Sequence, residues 1–194
     1  MGLIWTRREF DAAYSRYGRE YALSTSQYAQ RASWLLSNVP QCKHGPALVA
    51  GCGFGYLVHE LRQRGIDAIG CDASAYIRQN LCDQALSEFP FLSVDVQTLA
   101  QRHYHSQRYT AVITEFMLES FDPIHALDEY RRLLGDLTAL ALDGQVLHFV
   151  IDHRAGDSHV NLDVLPLTWL TLREWRASWP LHRWVSGRDL KETD

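Results

Sequence analysis

Residues 47–61 read ALVAGCGFGYLVHEL. Ala47–Ala50 is a short apolar run of the buried-strand type. Leu57, Val58 and Leu61 then share one face at helical spacing. Between strand and helix stand Gly51, Gly53 and Gly55. Glycine permits positive φ and lets backbone come close to a ligand. The helix that follows offers free N–H groups and the positive end of its dipole. Dinucleotide enzymes use G-x-G-x-x-G, whose third glycine falls where this chain has Tyr56. Here the spacing is G-x-G-x-G.

Strands and helices alternate outward from this unit. Asp67–Gly70 reads as a second strand, and Asp72 follows it, 21 residues after Gly51. That spacing is near the ~20 expected of a carboxylate that grips ribose hydroxyls. A helix is predicted over 75–86, with Ile77, Leu81 and Ala85 aligned, then strands at 91–94 and 110–114. Asp122-Pro123 opens a helix striped by Ala126, Leu127, Tyr130, Leu133, Leu134 and Leu137. A fifth strand follows at 145–151. Thr171-Leu172-Arg173-Glu174 is a capping box, with Leu170 and Trp175 placed as a hydrophobic staple. That helix ends near Pro180, and 182–185 is one more strand. Upstream, 8–38 is helical in pattern, and 40–46 is a polar break. The alternation predicts an α/β domain with a mostly parallel sheet, whose ligands sit beyond the carboxyl ends of the strands.

Bulk properties narrow the class. The 194 residues suit one domain, 46% hydrophobic and 22% charged. No apolar run approaches the ~20 residues of a membrane span, and Arg7, Arg8, Glu9 and Asp11 interrupt any signal peptide. A cytoplasmic protein with no membrane contact is expected. Met1-Gly2-Leu3-Ile4-Trp5-Thr6 fits a myristoylation pattern, but nothing polybasic supports it. Cys42, Cys52, Cys71 and Cys82 have no CxxC spacing, which favours reduced thiols over a zinc site or disulfides. Charge is uneven. Residues 1–46 carry six Lys/Arg against three Asp/Glu (+3), 47–150 seven against thirteen (−6), and 151–194 six against seven (−1). An acidic middle disfavours a polyanion lying across it, while leaving nucleic acid open to the N-terminal segment.

Taken jointly, AGCGFG, IDAIGCDAS, LSVDV, YTAVITEFMLESF, PIHALDEYRRLLGDL and DGQVLHFV resemble, in order and spacing over 47–151, the class I, Rossmann-like S-adenosylmethionine-dependent methyltransferases. The resemblance implies a three-layer sandwich, N-terminal helices (1–46) forming a lid segment on an α/β core (47–194), and S-adenosylmethionine as cofactor. It implies that Gly51, Cys52, Gly53 and Gly55 shape the loop around methionine and ribose. Asp72 would take the ribose hydroxyls, with Ala73 beside the adenine. Asp95 would meet the adenine amino group, with Val96 nearby, and Glu115 and Phe116 would border the methionine moiety. Two features depart from the family. Val49 stands where an acid usually helps hold the methionine end. After Val185 only SGRDLKETD remains, so the C-terminal edge of a normally seven-stranded sheet is expected to be shortened.

Methyl transfer from a sulfonium is an in-line displacement, so positioning dominates. A general base assists hydroxyl or ammonium acceptors. Asp152, His153 and Glu119 are the candidates, set against the plainer reading of Asp152 and His153 as polar loop residues at a strand end. His148, inside a strand, reads as a packed or hydrogen-bonded histidine. Asp152, His153, Asp157 and His159 imitate a metal cluster, yet no metal is expected. Tyr14, Tyr17 and Tyr28 are the lid candidates. Trp169, Trp175, Trp179 and Trp184 are assigned mostly to packing.

The Asn/Asp-Pro-Pro-Tyr signature of base-amino methylation is absent, and Thr114-Glu115-Phe116-Met117 occupies its place. No proline-cysteine pair supplies a cytosine-5 nucleophile. A small-molecule acceptor is therefore the first reading. An RNA or protein methyltransferase is the second, and a cofactor-binding scaffold without turnover the third. An unpaired sheet edge would invite a homodimer.

Overall fold

The computed structural model describes residues 7–17, 25–80, 90–103, 108–115, 117–118, 121, 126–142, 145–150, 170–186 and 189–190. Six strands form one sheet: β1 (Ala47–Ala50), β2 (Ala68–Asp72), β3 (Phe91–Ser93), β4 (Ala111–Glu115), β5 (Val146–Phe149) and β6 (Arg183–Val185). Their order is β3-β2-β1-β4-β5-β6, and every neighbouring pair is parallel. The chain first steps from β1 to one side, then returns to β4 and steps to the other. The carboxyl ends of β1 and β4 therefore flank the switch point, where ligands bind in open α/β sheets.

Helices cover both faces: α1 (Arg7–Tyr17), α2 (Thr25–Asn38), α3 (Tyr56–Gln63), α4 (Ala75–Asn80), α5 (Val96–His103), α6 (Leu127–Leu140) and α7 (Leu172–Ser178). Successive strand side chains alternate between the two faces, and the buried residues divide accordingly. Ala47, Val49, Ala111, Ile113, Leu147 and Phe149 join one core with α2 and α3. Leu48, Ala50, Val112, Val146 and Trp184 join the other with α5, α6 and α7. This is the three-layer, Rossmann-like sandwich, and burial on both faces explains why β1 is apolar at every position.

Several boundaries differ from the expected ones. The N-terminal helical stretch is two helices, with 18–24 outside the described residues. The second strand runs on to Asp72, because its parallel register with β1 continues past Gly70. Residues 81–89 and the Asp122-Pro123 helix start lie outside the described residues. Leu127 is exposed rather than part of the stripe, which Tyr130, Leu133, Leu134, Leu137 and Leu140 form. The capping box at Thr171 is present with both of its bonds. Helix α5 was not anticipated from the sequence at all.

On the α6–α7 side, a hydrogen-bonded chain crosses the core. Thr114 Oγ1 lies 2.8 Å from His148 Nδ1, His148 Nε2 2.8 Å from His182 Nδ1, and His182 Nε2 2.8 Å from Thr138 Oγ1. Thr138 donates its own proton to the Leu134 carbonyl, so it accepts from His182 Nε2–H. His182 Nδ1 then accepts from His148 Nε2–H, and His148 Nδ1 accepts from the Thr114 hydroxyl. Both rings are neutral with fixed tautomers, and His148 is the hydrogen-bonded strand histidine that the sequence suggested.

Burial pushes His182 down to about 4, and burial together with His182 holds His148 well below its ordinary value. An unfolded histidine titrates near ~6.5, so below that pH the unfolded chain binds protons the folded chain refuses. Stability falls through this window. Glu115, pushed up to about 7 by burial despite Arg31, works in the opposite sense, since its folded form takes up a proton first. Asp136, also raised by burial against the pull of Arg132, works on the side of Glu115, and the two strongly depressed histidines still leave a net loss. Urea titrations from pH 7 to pH 4.5 should show declining stability, and a rising or flat profile would refute the neutral chain.

Candidate functional site

The turn after β1 depends on its glycines. Gly51, Gly53 and Gly55 have φ of 67°, 50° and 78°, left-handed values that L side chains rarely adopt. Gly55 caps the start of α3. The loop is tied back to β2 where Cys52 N–H donates to the Cys71 carbonyl at 3.0 Å. Asp72, at the end of β2, is buried, and its carboxylate braces two backbone segments. It accepts from Gly53 N–H at 3.0 Å and from Ser74 N–H at 2.8 Å. A carboxylate accepting from backbone at the sheet's carboxyl edge is held rigid beside the glycine loop.

The other candidates differ in where they lie. Ala73 and Glu115 lie at the ends of β2 and β4, on the glycine loop's edge of the sheet. Asp95 lies just beyond β3, but its carboxylate caps α5. Oδ1 accepts from Thr98 N–H at 2.7 Å and Oδ2 from the Thr98 hydroxyl at 3.0 Å. Val96 is buried in the α5–α6 core. Cys52 sits between the glycines with its thiol raised well above the ordinary value, chiefly by burial and next by the charge of Asp72. Its thiol is therefore an uncharged lining group rather than a nucleophile. Phe116, Glu119, Asp152 and His153 lie outside the described residues.

The N-terminal helices cover this edge. Tyr14 packs edge-on against Phe54 in the glycine loop, with ring centroids 5.5 Å apart. Its hydroxyl lies 3.3 Å from where a Cβ on Gly53 would stand. Tyr28 is buried and stacks on Tyr56 at the start of α3, 5.3 Å between centroids. Tyr17 closes α1, and its side chain lies outside the described residues. Two residues not singled out in the sequence tie these helices down. Asp11 accepts from Ser74 Oγ and from Tyr76 N–H, joining α1 to the start of α4. Arg31 of α2 is 3% exposed and places Nε 2.9 Å from Glu115 Oε1.

The residues present fit a nucleoside cofactor. Three left-handed glycines give the turn no side chains of its own, and Met117 walls Gly51, its Cγ 2.8 Å from where a Cβ would stand. A fixed carboxylate stands on the neighbouring strand at the usual ribose position. The family model of a methyltransferase domain matches residues 48–141. Residues 48–141 are a methyltransferase domain, and they have the fold of the class I S-adenosylmethionine-dependent enzymes. The cofactor is S-adenosylmethionine.

Solved structures resemble this methyltransferase at the level of fold. Magnesium protoporphyrin IX methyltransferase from Synechocystis, with the cofactor bound, is 20% identical over 70% of each chain, with a TM-score of 0.55. The CcbJ methyltransferase of Streptomyces caelestis is 15% identical, covers 72% of this chain and 56% of that one, and has a TM-score of 0.56. A Haloferax volcanii complex of a methyltransferase with the Trm112 activator gives 20% identity, 91% and 75% coverage, and a TM-score of 0.60. No curated protein matches the sequence. No helix among the described residues is long and apolar enough to cross a membrane.

Proposed function

We propose that this methyltransferase transfers the cofactor's methyl group to an O or N nucleophile on a small molecule. The observation that carries this is the aromatic cover on the glycine loop. Tyr14 and Tyr28 pack on Phe54 and Tyr56, and Asp11 fastens α1 to the start of α4. Such a cover suits a compact acceptor better than a long polymer. The −6 charge over 47–150 points the same way, since a polyanion would be repelled. Within this reading, Asp72 takes the ribose hydroxyls, Ala73 and Val96 flank the adenine, and Asp95 meets its amino group. Asp152, His153 and Glu119 are the residues to test as general base.

Transfer of labelled methyl groups to a panel of small acceptors, bulk RNA and peptides tests the proposal. Label found only in RNA or peptide would overturn it. Asp72→Asn should weaken cofactor binding by about 1–3 kcal/mol, because hydrogen bonds to a charged group are lost. Calorimetry measures this, and unchanged affinity would remove Asp72 from the ribose.

A second reading, methylation of RNA or protein with a helper subunit, draws support from the likeness to the Haloferax activator complex. A marked loss of affinity for bulk RNA with rising salt would favour it.

A further inference from the structure

We propose that Asp11 is a positioning residue: it latches α1 over the bound cofactor, and the demethylated product leaves only when Asp11 releases Ser74. This rests on the cofactor reading and deepens it. Asp11 lies in the middle of α1 and is half-buried. A carboxylate drawn part-way out of water needs donors, and this one finds two at the start of α4, 63 and 65 residues away in sequence. Its Oδ1 accepts from the Ser74 hydroxyl and from Tyr76 N–H, the latter at 3.2 Å. Ser74 is buried, 1% exposed, and both of its donors are engaged. The hydroxyl donates to Asp11 and accepts from Ile77 N–H at 3.2 Å. The Ser74 N–H donates to Asp72 Oδ1 at 2.8 Å.

These bonds close a circuit around the ribose acid. Asp72 Oδ2 accepts from Gly53 N–H at 3.0 Å. Tyr14 stands one turn beyond Asp11, on the same face of α1. It packs on Phe54, and its hydroxyl lies over Gly53. Helix α1 therefore reaches Asp72 by two routes, through Ser74 on one side and through the glycine loop on the other. An ionised carboxylate offers about four lone-pair sites. In Asp72 two of them face backbone donors, which leaves the others for the two ribose hydroxyls. The group that receives the ribose is thus the group from which α1 is hung. A ligand that steadies Asp72 steadies Ser74 and α1 with it, and by linkage a latched α1 holds the ligand more tightly. A tie that only stapled α1 to α4 would leave ligand departure unaffected, and this separates the two roles by experiment.

Stopped-flow displacement measures the release of S-adenosylhomocysteine from the wild type and two variants. Asp11→Ala should speed release about tenfold, as loss of a hydrogen bond to a charged group would give, with association changed far less. Asp11→Asn keeps an acceptor oxygen at the same place and should release more slowly than Asp11→Ala. Hydrogen exchange gives a readout on the unaltered chain: S-adenosylhomocysteine should slow amide exchange across 7–17 in the wild type. Release from Asp11→Ala at the wild-type rate, or from Asp11→Asn at the Asp11→Ala rate, would overturn the latch. So would α1 amides that exchange equally with and without ligand, a result that stands even if Asp11→Ala fails to fold by circular dichroism. A wild type that binds no S-adenosylhomocysteine would overturn the cofactor reading itself, whereas binding whose release ignores Asp11 would overturn only the latch.

Discussion

Gly51→Ala is expected to destabilise the fold by about 2–5 kcal/mol and to weaken cofactor binding with it. Two physical costs add. The first is backbone: at φ 67° a Cβ clashes with the following carbonyl, costing about 1–2 kcal/mol. The second is steric. The new Cβ would lie 2.8 Å from Met117 Cγ and 3.0 Å from its Cβ, and overpacking of this kind costs about 1–3 kcal/mol. The two separate cleanly in this chain. Gly65 also has positive φ, 81°, but nothing lies within 4 Å of where its Cβ would be. Gly65→Ala should therefore show the backbone cost alone. Adding Met117→Ala to Gly51→Ala removes Cγ and Sδ but keeps the Cβ at 3.0 Å, so it should restore a part of the steric cost and none of the backbone cost, a coupling that a double-mutant cycle reads directly. Equal losses at Gly51 and Gly65 would mean that the loop has no packed wall at Met117.

How much of this could be seen beforehand depended on whether the signal was local. The β1–α3 unit was legible because a four-residue apolar run, three glycines and a helical stripe lie within fifteen residues. Thr171-x-x-Glu174 was legible for the same reason, since both bonds of a capping box fall within one turn. Helix α5 carried an equally local signal. Asp95 stands just before the helix at capping distance from Thr98, and Val96, Leu99 and Ala100 are all buried on one face. That signal is masked because Asp95 also stands where the family resemblance implies an adenine contact, and a residue type that suits two roles hides one of them.

Arg31 carried no local signal at all. On a helix such as TSQYAQRASWLLSN, an arginine reads as a solvated residue, and its burial follows only when α2 lies across the carboxyl end of β4. The His148–His182 contact is similar. The two residues are 34 apart in sequence, and they meet because β6 pairs with β5 in the register His148 to Trp184. Sequence pattern predicts elements, but partners across a sheet are set by register, which alternation alone leaves open by steps of two.

Trp175→Ala is expected to cost about 3–5 kcal/mol, the range for truncating a large buried aromatic. Total stability of a domain is about 5–15 kcal/mol, so this variant approaches the limit of folding. The reason lies in how β6 is attached. Three residues long, it pairs on one side with β5, and no described strand pairs with its other side. Its main apolar anchor is Trp184, whose indole stacks on Trp175 at 5.6 Å and 17° and lies 4.3 Å from the His148 ring. Trp175 is fully buried and sits at the fourth position of α7, where the capping box fixes the helix start. Removing it leaves a cavity beneath both α7 and β6. His182 reaches His148 only while β6 stays docked, so the same substitution should also weaken the acid sensitivity of the fold. Urea titrations at pH 7 and pH 5 would then differ less than in the wild type. Trp175→Phe keeps a ring against Trp184 and should lose less. A loss below about 1 kcal/mol for Trp175→Ala, with acid sensitivity unchanged, would mean that β6 is held by its strand pairing alone.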